Sequence, residues 1–203
     1  MLAPLSRRFY ERPSPIVATA LIGRLLVRRL DGDLLVGRIV ETEAYEEGDP
    51  ASHSYRGRTA RTSVMFGPAG HLYVYFTYGM HYCMNVVTSR DGEGSAVLLR
   101  AVEPLVGLTR MAALRGSSDT RLLCAGPARL TQAFAVGRSQ NGADLVGGAE
   151  LFVASRRPNR SAPVVAVPRV GISAAAERPW RFVDSGSQFL SRRAVSPDGG
   201  APG

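Results

Sequence analysis

The run RIVETEAY sets Glu41, Glu43 and Tyr45 at alternate positions, so in a strand two carboxylates and a phenol share one surface. A carboxylate beside an aromatic ring can take a proton from water or stabilise a developing positive charge. Spacing by itself does not choose between Glu41 and Glu43. A second group lies in LYVYFTYGMHYCMN, residues 72–85, which holds four of the chain's seven tyrosines together with His81 and Asn85. Aromatic faces stack on bases with little regard to sequence, and an aromatic tip can wedge into a duplex. Arg100, after the apolar run AVLL, is a third candidate, because a nearby guanidinium keeps a carboxylate ionised and can help place a water.

These groups need strands to hold them. A two-residue turn at Tyr78-Gly79 would mix polar and apolar side chains on both faces of the tyrosine hairpin. A three-residue loop, Tyr78-Gly79-Met80, pairs Thr77 with His81, Tyr75 with Cys83 and Tyr73 with Asn85. It gathers Leu72, Val74, Phe76, Tyr82, Met84 and Val86 on one face and the polar set on the other. Buried faces select register, so the three-residue loop is the expected one, with Tyr78 and Met80 at an exposed tip. Asp31-Gly32 between two β-rich runs predicts another tight hairpin. Residues 46–70, rich in Gly, Pro, Ser and Arg, read as a long functional loop. Ser14-Pro15 opens a short helix that Gly23 can stop, Leu105, Leu108, Met111 and Leu114 predict a helix before Gly116, and Pro127 and Gly137 bracket another. ELFVA, PVVAVPRVGI and WRFV supply further strands. The expectation is a single α+β domain over residues 1–193, a curved and mainly antiparallel sheet flanked by helices with a protruding hairpin, followed by a disordered tail at 194–203.

The chain has 203 residues, a formal charge of +8 and a pI near 10.3, and all 25 basic side chains are arginine. Such a balance points to a polyanion, nucleic acid or an anionic membrane surface. Cys83 and Cys124 are the only cysteines and there are three histidines, which support neither a disulfide framework nor a zinc site. IVATALIG is too short to span a bilayer and the first residues lack a signal-peptide core. A cytoplasmic, nucleoid-associated protein without metal, cofactor or membrane partner is therefore expected. Stacking face, wedge, positive charge and carboxylate together suggest hydrolysis at a sugar carbon of a base drawn out of a helix. A non-catalytic nucleic-acid-binding module would use the aromatics and arginines but gain little from a carboxylate near phosphates. A free-nucleoside hydrolase would need no wedge.

GRIVETEAY, ASHS, LYVYFTYGMHYCMN, VLLRAVEP, LCAGPARLTQAFAV and PRVGI, in this order, closely resemble the alkyladenine (3-methyladenine) DNA glycosylase family, and the likeness runs from RFYERPSP to RFV. The resemblance implies a single mixed α/β domain around a curved antiparallel sheet, acting as a monomer on double-stranded DNA with damaged purines, alkylated or deaminated. It implies a metal-free hydrolase of the N-glycosidic bond that starts base excision repair, and the absence of lysine, which leaves no side-chain amine for a Schiff base, predicts a monofunctional one. Carried over by position, Glu43 resembles the general base, with Arg100 and the backbone carbonyl of Val170 helping to hold the water. Tyr45 would stack on one face of the flipped base, His53 and Tyr75 on the other, and Tyr73 would steady the histidine. Tyr78 matches the residue that fills the gap in the duplex, with Met80 beside it, and Asn85 the side chain that excludes guanine's exocyclic amine. Gly126 and Arg129, at a helix start, are expected to meet the DNA backbone.

Overall fold

Asp31 and Gly32 both take left-handed backbone, with φ of 50° and 86°, and make the two-residue turn between the first two strands. The structure is a computed structural model that describes residues 2–154 and 162–193; the expected tail, 194–203, lies outside them. Two short helices, α1 (Arg7–Tyr10) and α2 (Ser14–Leu21), precede the hairpin of β1 (Leu25–Leu30) and β2 (Asp33–Tyr45). After the long loop come β3 (Leu72–Thr77), β4 (His81–Val87) and β5 (Ala96–Val106). Helices α3 (Leu108–Arg115) and α4 (Pro127–Ala133) follow, then β6 (Leu151–Ala154), β7 (Val164–Val167) and β8 (Arg181–Asp184).

The eight strands form one antiparallel sheet in the order β3-β4-β5-β2-β1-β6, with β8 pairing both β2 and β7. Strand β2 is its spine. One edge pairs with β5, while the other gives its first half to β1 and Glu41–Glu43 to β8. The β2–β5 ladder slips register between Val36 and Gly37, Ile39 and Glu41, and Glu41 and Thr42. Each slip adds local twist, and three in succession curl the sheet. Gly37 sits at the first, where a Cβ would stand 2.6 Å from Val102 Cγ2. The result is the expected single α+β domain. Its main core gathers Val17 and Leu21 of α2, Leu72, Met84, Val86 and Leu99 from the strands, Met111 of α3, Leu130 of α4 and Phe134 just after it.

The hairpin of β3 and β4 pairs Thr77 with His81, Tyr75 with Cys83 and Tyr73 with Asn85. Two helix boundaries differ from expectation. Leu105 belongs to β5 and is 42 % exposed, because the strand runs on to Val106 and the chain turns only at Gly107, with φ of 82°. Helix α4 ends at Ala133, short of Gly137. Ala135 takes a left-handed φ of 48°, its N–H bonds the Gln132 carbonyl, and Val136 N–H bonds that of Thr131, a helix-terminating pair made without glycine.

Candidate active site

The slip between Glu41 and Thr42 leaves Arg100 with no residue opposite it in the β2–β5 ladder, and a bulged residue is re-aimed. Its guanidinium lies between the two carboxylates, Nε 2.9 Å from Glu41 Oε1 and Nη1 3.1 Å from Glu43 Oε2. Both acids are fully buried, yet their surroundings differ. Glu41 also accepts from Arg181 Nε at 2.7 Å, from the Ser191 N–H at 2.6 Å and from the Ser191 hydroxyl at 2.7 Å. Burial alone would raise its pKa, but Arg100, Arg181 and Ser191 together hold it below the ordinary value. Glu43 accepts the Val170 N–H on Oε1 at 2.8 Å and the Tyr45 hydroxyl on Oε2 at 2.9 Å. Burial would strip Arg100 of its proton more easily, but Glu43 and Glu41 reverse that and hold its pKa above the usual range.

Glu43, but not Glu41, lines a cavity of about 390 Å³, within the size range of small-ligand sites. The same cavity receives Tyr45, His53, Tyr73, Tyr75, Tyr78, Asn85, Arg100 and Val170. His53 Nδ1 and the Tyr73 hydroxyl are 3.1 Å apart, and the His53 and Tyr75 rings meet edge-on with centroids 4.5 Å apart. Burial, and then the Arg61 cation, push the His53 pKa below its ordinary value, so its ring is neutral at neutral pH. The Tyr45 phenol is pushed up, first by burial and then by Glu43, and stays a donor. Tyr75 is pushed up likewise, first by burial and then by Cys83. Asn85 is buried and donates from Nδ2 to the Tyr73 carbonyl at 3.1 Å.

The sequence matches the profile of the methylpurine-DNA glycosylase (MPG) family over residues 8–188. The chain belongs to the methylpurine-DNA glycosylase family. It is 49 % identical over 189 residues to a Carboxydothermus hydrogenoformans protein, covering 93 % of this chain and 99 % of that one. It is 50 % identical over 191 residues to a protein of Methanoculleus marisnigri, with 93 % and 99 % covered. Both relatives carry the name "Putative 3-methyladenine DNA glycosylase".

In this member of the methylpurine-DNA glycosylase family, five of the residues singled out in the sequence stand outside the cavity lining: Glu41, Met80, His81, Gly126 and Arg129. Tyr78 is 85 % exposed with φ of 51°, and Met80 is 69 % exposed. Gly126 caps α4 with φ of 126°, and the next residue, Pro127, does line the cavity. Arg129 is exposed and donates to the Ala125 carbonyl at 3.3 Å. His81, on the polar face of the hairpin, is exposed and lies outside the cavity. Val170 donates its N–H to Glu43 Oε1 at 2.8 Å.

Sequence reasoning missed the partners that make the surroundings of the two acids differ. Arg181 and Ser191 lie 140 and 150 residues from Glu41, and no local pattern marks them. Arg169 and Asp49, paired beneath Tyr45, were also missed, although Arg169 stands in the PRVGI motif beside Val170. No cluster of three or more His, Cys, Asp or Glu suited to a metal ion occurs among the described residues.

Proposed function

We propose that this protein is a DNA glycosylase that takes a damaged purine, turned out of duplex DNA, into the cavity and hydrolyses its N-glycosidic bond. The observation that carries this reading is the state of Glu43. An ionised carboxylate has about four acceptor positions, and Val170, Tyr45 and Arg100 occupy three of them. Glu43 lines the cavity, and in this reading a water bound there donates to the remaining position. The purine leaves with the electron pair of the C1′–N bond, positive charge develops on the sugar, and the fixed carboxylate stabilises it. Water adds to C1′ and yields its proton to Glu43. A cationic alkylated purine departs without a proton, whereas a neutral lesion needs one on a ring nitrogen.

The aromatic side chains serve the base. Tyr45 stacks on one face of the base, His53 and Tyr75, which meet edge-on, close the other side, Tyr73 steadies His53, and Asn85 excludes guanine through its exocyclic amine. Tyr78 fills the gap in the duplex with Met80 beside it, and Gly126 and Arg129 meet the phosphates. Action as a monomer on double-stranded DNA is part of this reading. Membership of a glycosylase family, and an acid buried at the edge of a cavity, favour hydrolysis over simple nucleic-acid binding, since burying a charge is costly without a task for it. The test is to incubate the protein, with chelator present, with duplexes each holding one hypoxanthine, ethenoadenine or 7-methylguanine. Abasic sites in at least one duplex and none in the undamaged control are expected; none in any duplex would refute the reading.

A further inference from the structure

A buried ion pair that the chemistry above does not use ties the loop carrying His53 to the strand carrying Tyr45. Arg169 and Asp49 are both fully buried. The guanidinium meets the carboxylate through both of its terminal nitrogens, Nη1 to Oδ2, and Nη2 to Oδ1 at 3.0 Å. It also donates to the carbonyl of Ala44 at 3.0 Å, next to Tyr45, and to that of Ala175 at 3.2 Å. Its centre lies 4.7 Å from the Tyr45 ring centroid and 5.5 Å from that of Trp180. Tyr45 lines the cavity and Arg169 does not, so the cation packs on the ring from behind. Asp49 in turn shapes the loop: Oδ1 accepts the Ala51 N–H at 3.1 Å and its carbonyl the Ser52 N–H at 2.8 Å, one residue before His53.

We propose that Arg169 and Asp49 are a positioning pair that holds the Tyr45 ring against the cavity and fixes the His53 loop relative to it. This rests on the DNA-glycosylase reading above. Two charges withdrawn from water need near-ideal geometry to break even, so a fold that only had to fill this space would do as well with apolar side chains. The planar guanidinium can grip a carboxylate along its edge while its face supports a ring; an ammonium cannot do both. Arg169 also precedes Val170, whose N–H holds Glu43, so the effect on the ring must be separated from an effect on the carboxylate.

The test uses Asp49→Asn and Arg169→Lys in the full chain, each also combined with Tyr45→Leu. Trp180, the one tryptophan, packs against Arg169 and reports by its emission that the pair has opened. In the DNA-free protein, both single variants are expected to shift or broaden the Tyr45 and His53 ring resonances. On an ethenoadenine duplex with enzyme in excess, each single variant is expected to lose about 10²-fold in single-turnover base release, the scale of a misplacement near 1 Å. In the Tyr45→Leu background the further loss should fall well below about 10²-fold, because the ring is gone and only the hold on the His53 loop remains to be lost. A full loss in that background would mean that the pair acts through Glu43 or the fold, and would overturn the proposal. Unchanged ring resonances with altered Trp180 emission would overturn it as well. A wild-type protein that releases no base would sink the glycosylase reading alone, because the resonances still decide the pair.

Discussion

Glu43→Gln preserves the shape of the side chain and changes only its charge and its acceptors. In the native site Oε1 takes the Val170 N–H at 2.8 Å, and Oε2 takes the Tyr45 hydroxyl at 2.9 Å and Arg100 Nη1 at 3.1 Å. A carboxamide has one acceptor oxygen and one NH₂. Turned one way its NH₂ faces the Val170 N–H; turned the other way it faces the Arg100 guanidinium. The Tyr45 hydroxyl can rotate to accept, but neither of the other two donors can. A buried donor left without an acceptor costs about 1–3 kcal/mol. Arg100 keeps Glu41 as its counter-ion, so the loss stays below the roughly 3–5 kcal/mol of breaking a buried pair outright. In a domain of this size that lowers Tm by roughly 2–12 °C. The chemistry suffers more: loss of a general base slows the step by about 10²–10⁴-fold, or roughly 2.7–5.4 kcal/mol of barrier. Single-turnover base release, measured with enzyme in excess and well below both melting temperatures, separates the two effects, and fluorescence anisotropy checks that lesion-duplex binding persists. Release by folded Glu43→Gln at more than about a tenth of the wild-type rate, outside the range for a lost base, would refute the assignment. It would do so most sharply if folded Glu41→Gln were inactive.

Tyr78→Ala is expected to weaken the flipped state by about 1–3 kcal/mol, the value of one lost stacking contact; ethenoadenine fluorescence in the bound duplex measures it, and an unchanged flipping equilibrium would remove Tyr78 from the duplex. Asn85→Ser shortens a buried side chain of the cavity and should raise release of undamaged guanine above the wild-type rate; equal release would refute exclusion at this position. The chain contains no lysine, and arginine stays protonated, so no lysine Schiff base can form with C1′; borohydride trapping should give no adduct and strand breaks should need alkali, whereas a trapped adduct would refute water as the nucleophile. The folded Glu41 carboxyl titrates below its ordinary 4.5, so between the two values the unfolded chain binds more protons. Its stabilisation is complete above about pH 4.5 and is lost as pH falls through the folded value. Glu41→Gln should flatten that acid limb in denaturant titrations, and an unchanged limb would refute the linkage.

What the sequence determined by itself rests on local rules. The tyrosine hairpin could be registered because only one pairing separates apolar from polar side chains, and Asp31-Gly32 had to turn because both residues accept left-handed backbone. Glu43, Tyr45, His53, Tyr75 and Asn85 could be named because the motifs that carry the family resemblance contain them. Periodicity could not choose between Glu41 and Glu43, since both reach the same guanidinium from one strand. Tertiary structure separates them: Arg181 and Ser191 bind Glu41's oxygens, while Glu43 and not Glu41 lines the cavity, which is why the proposed base is Glu43. The helix expected from Leu105 begins only at Leu108 for a related reason, because pairing with β2 holds the chain extended as far as Val106 and overrides the first turn of a 3.6-residue pattern. Arg169 finds Asp49 across 120 residues. Backbone preference acts over a few residues, whereas the satisfaction of a buried charge depends on whichever distant group folding brings beside it, and only the assembled sheet decides that.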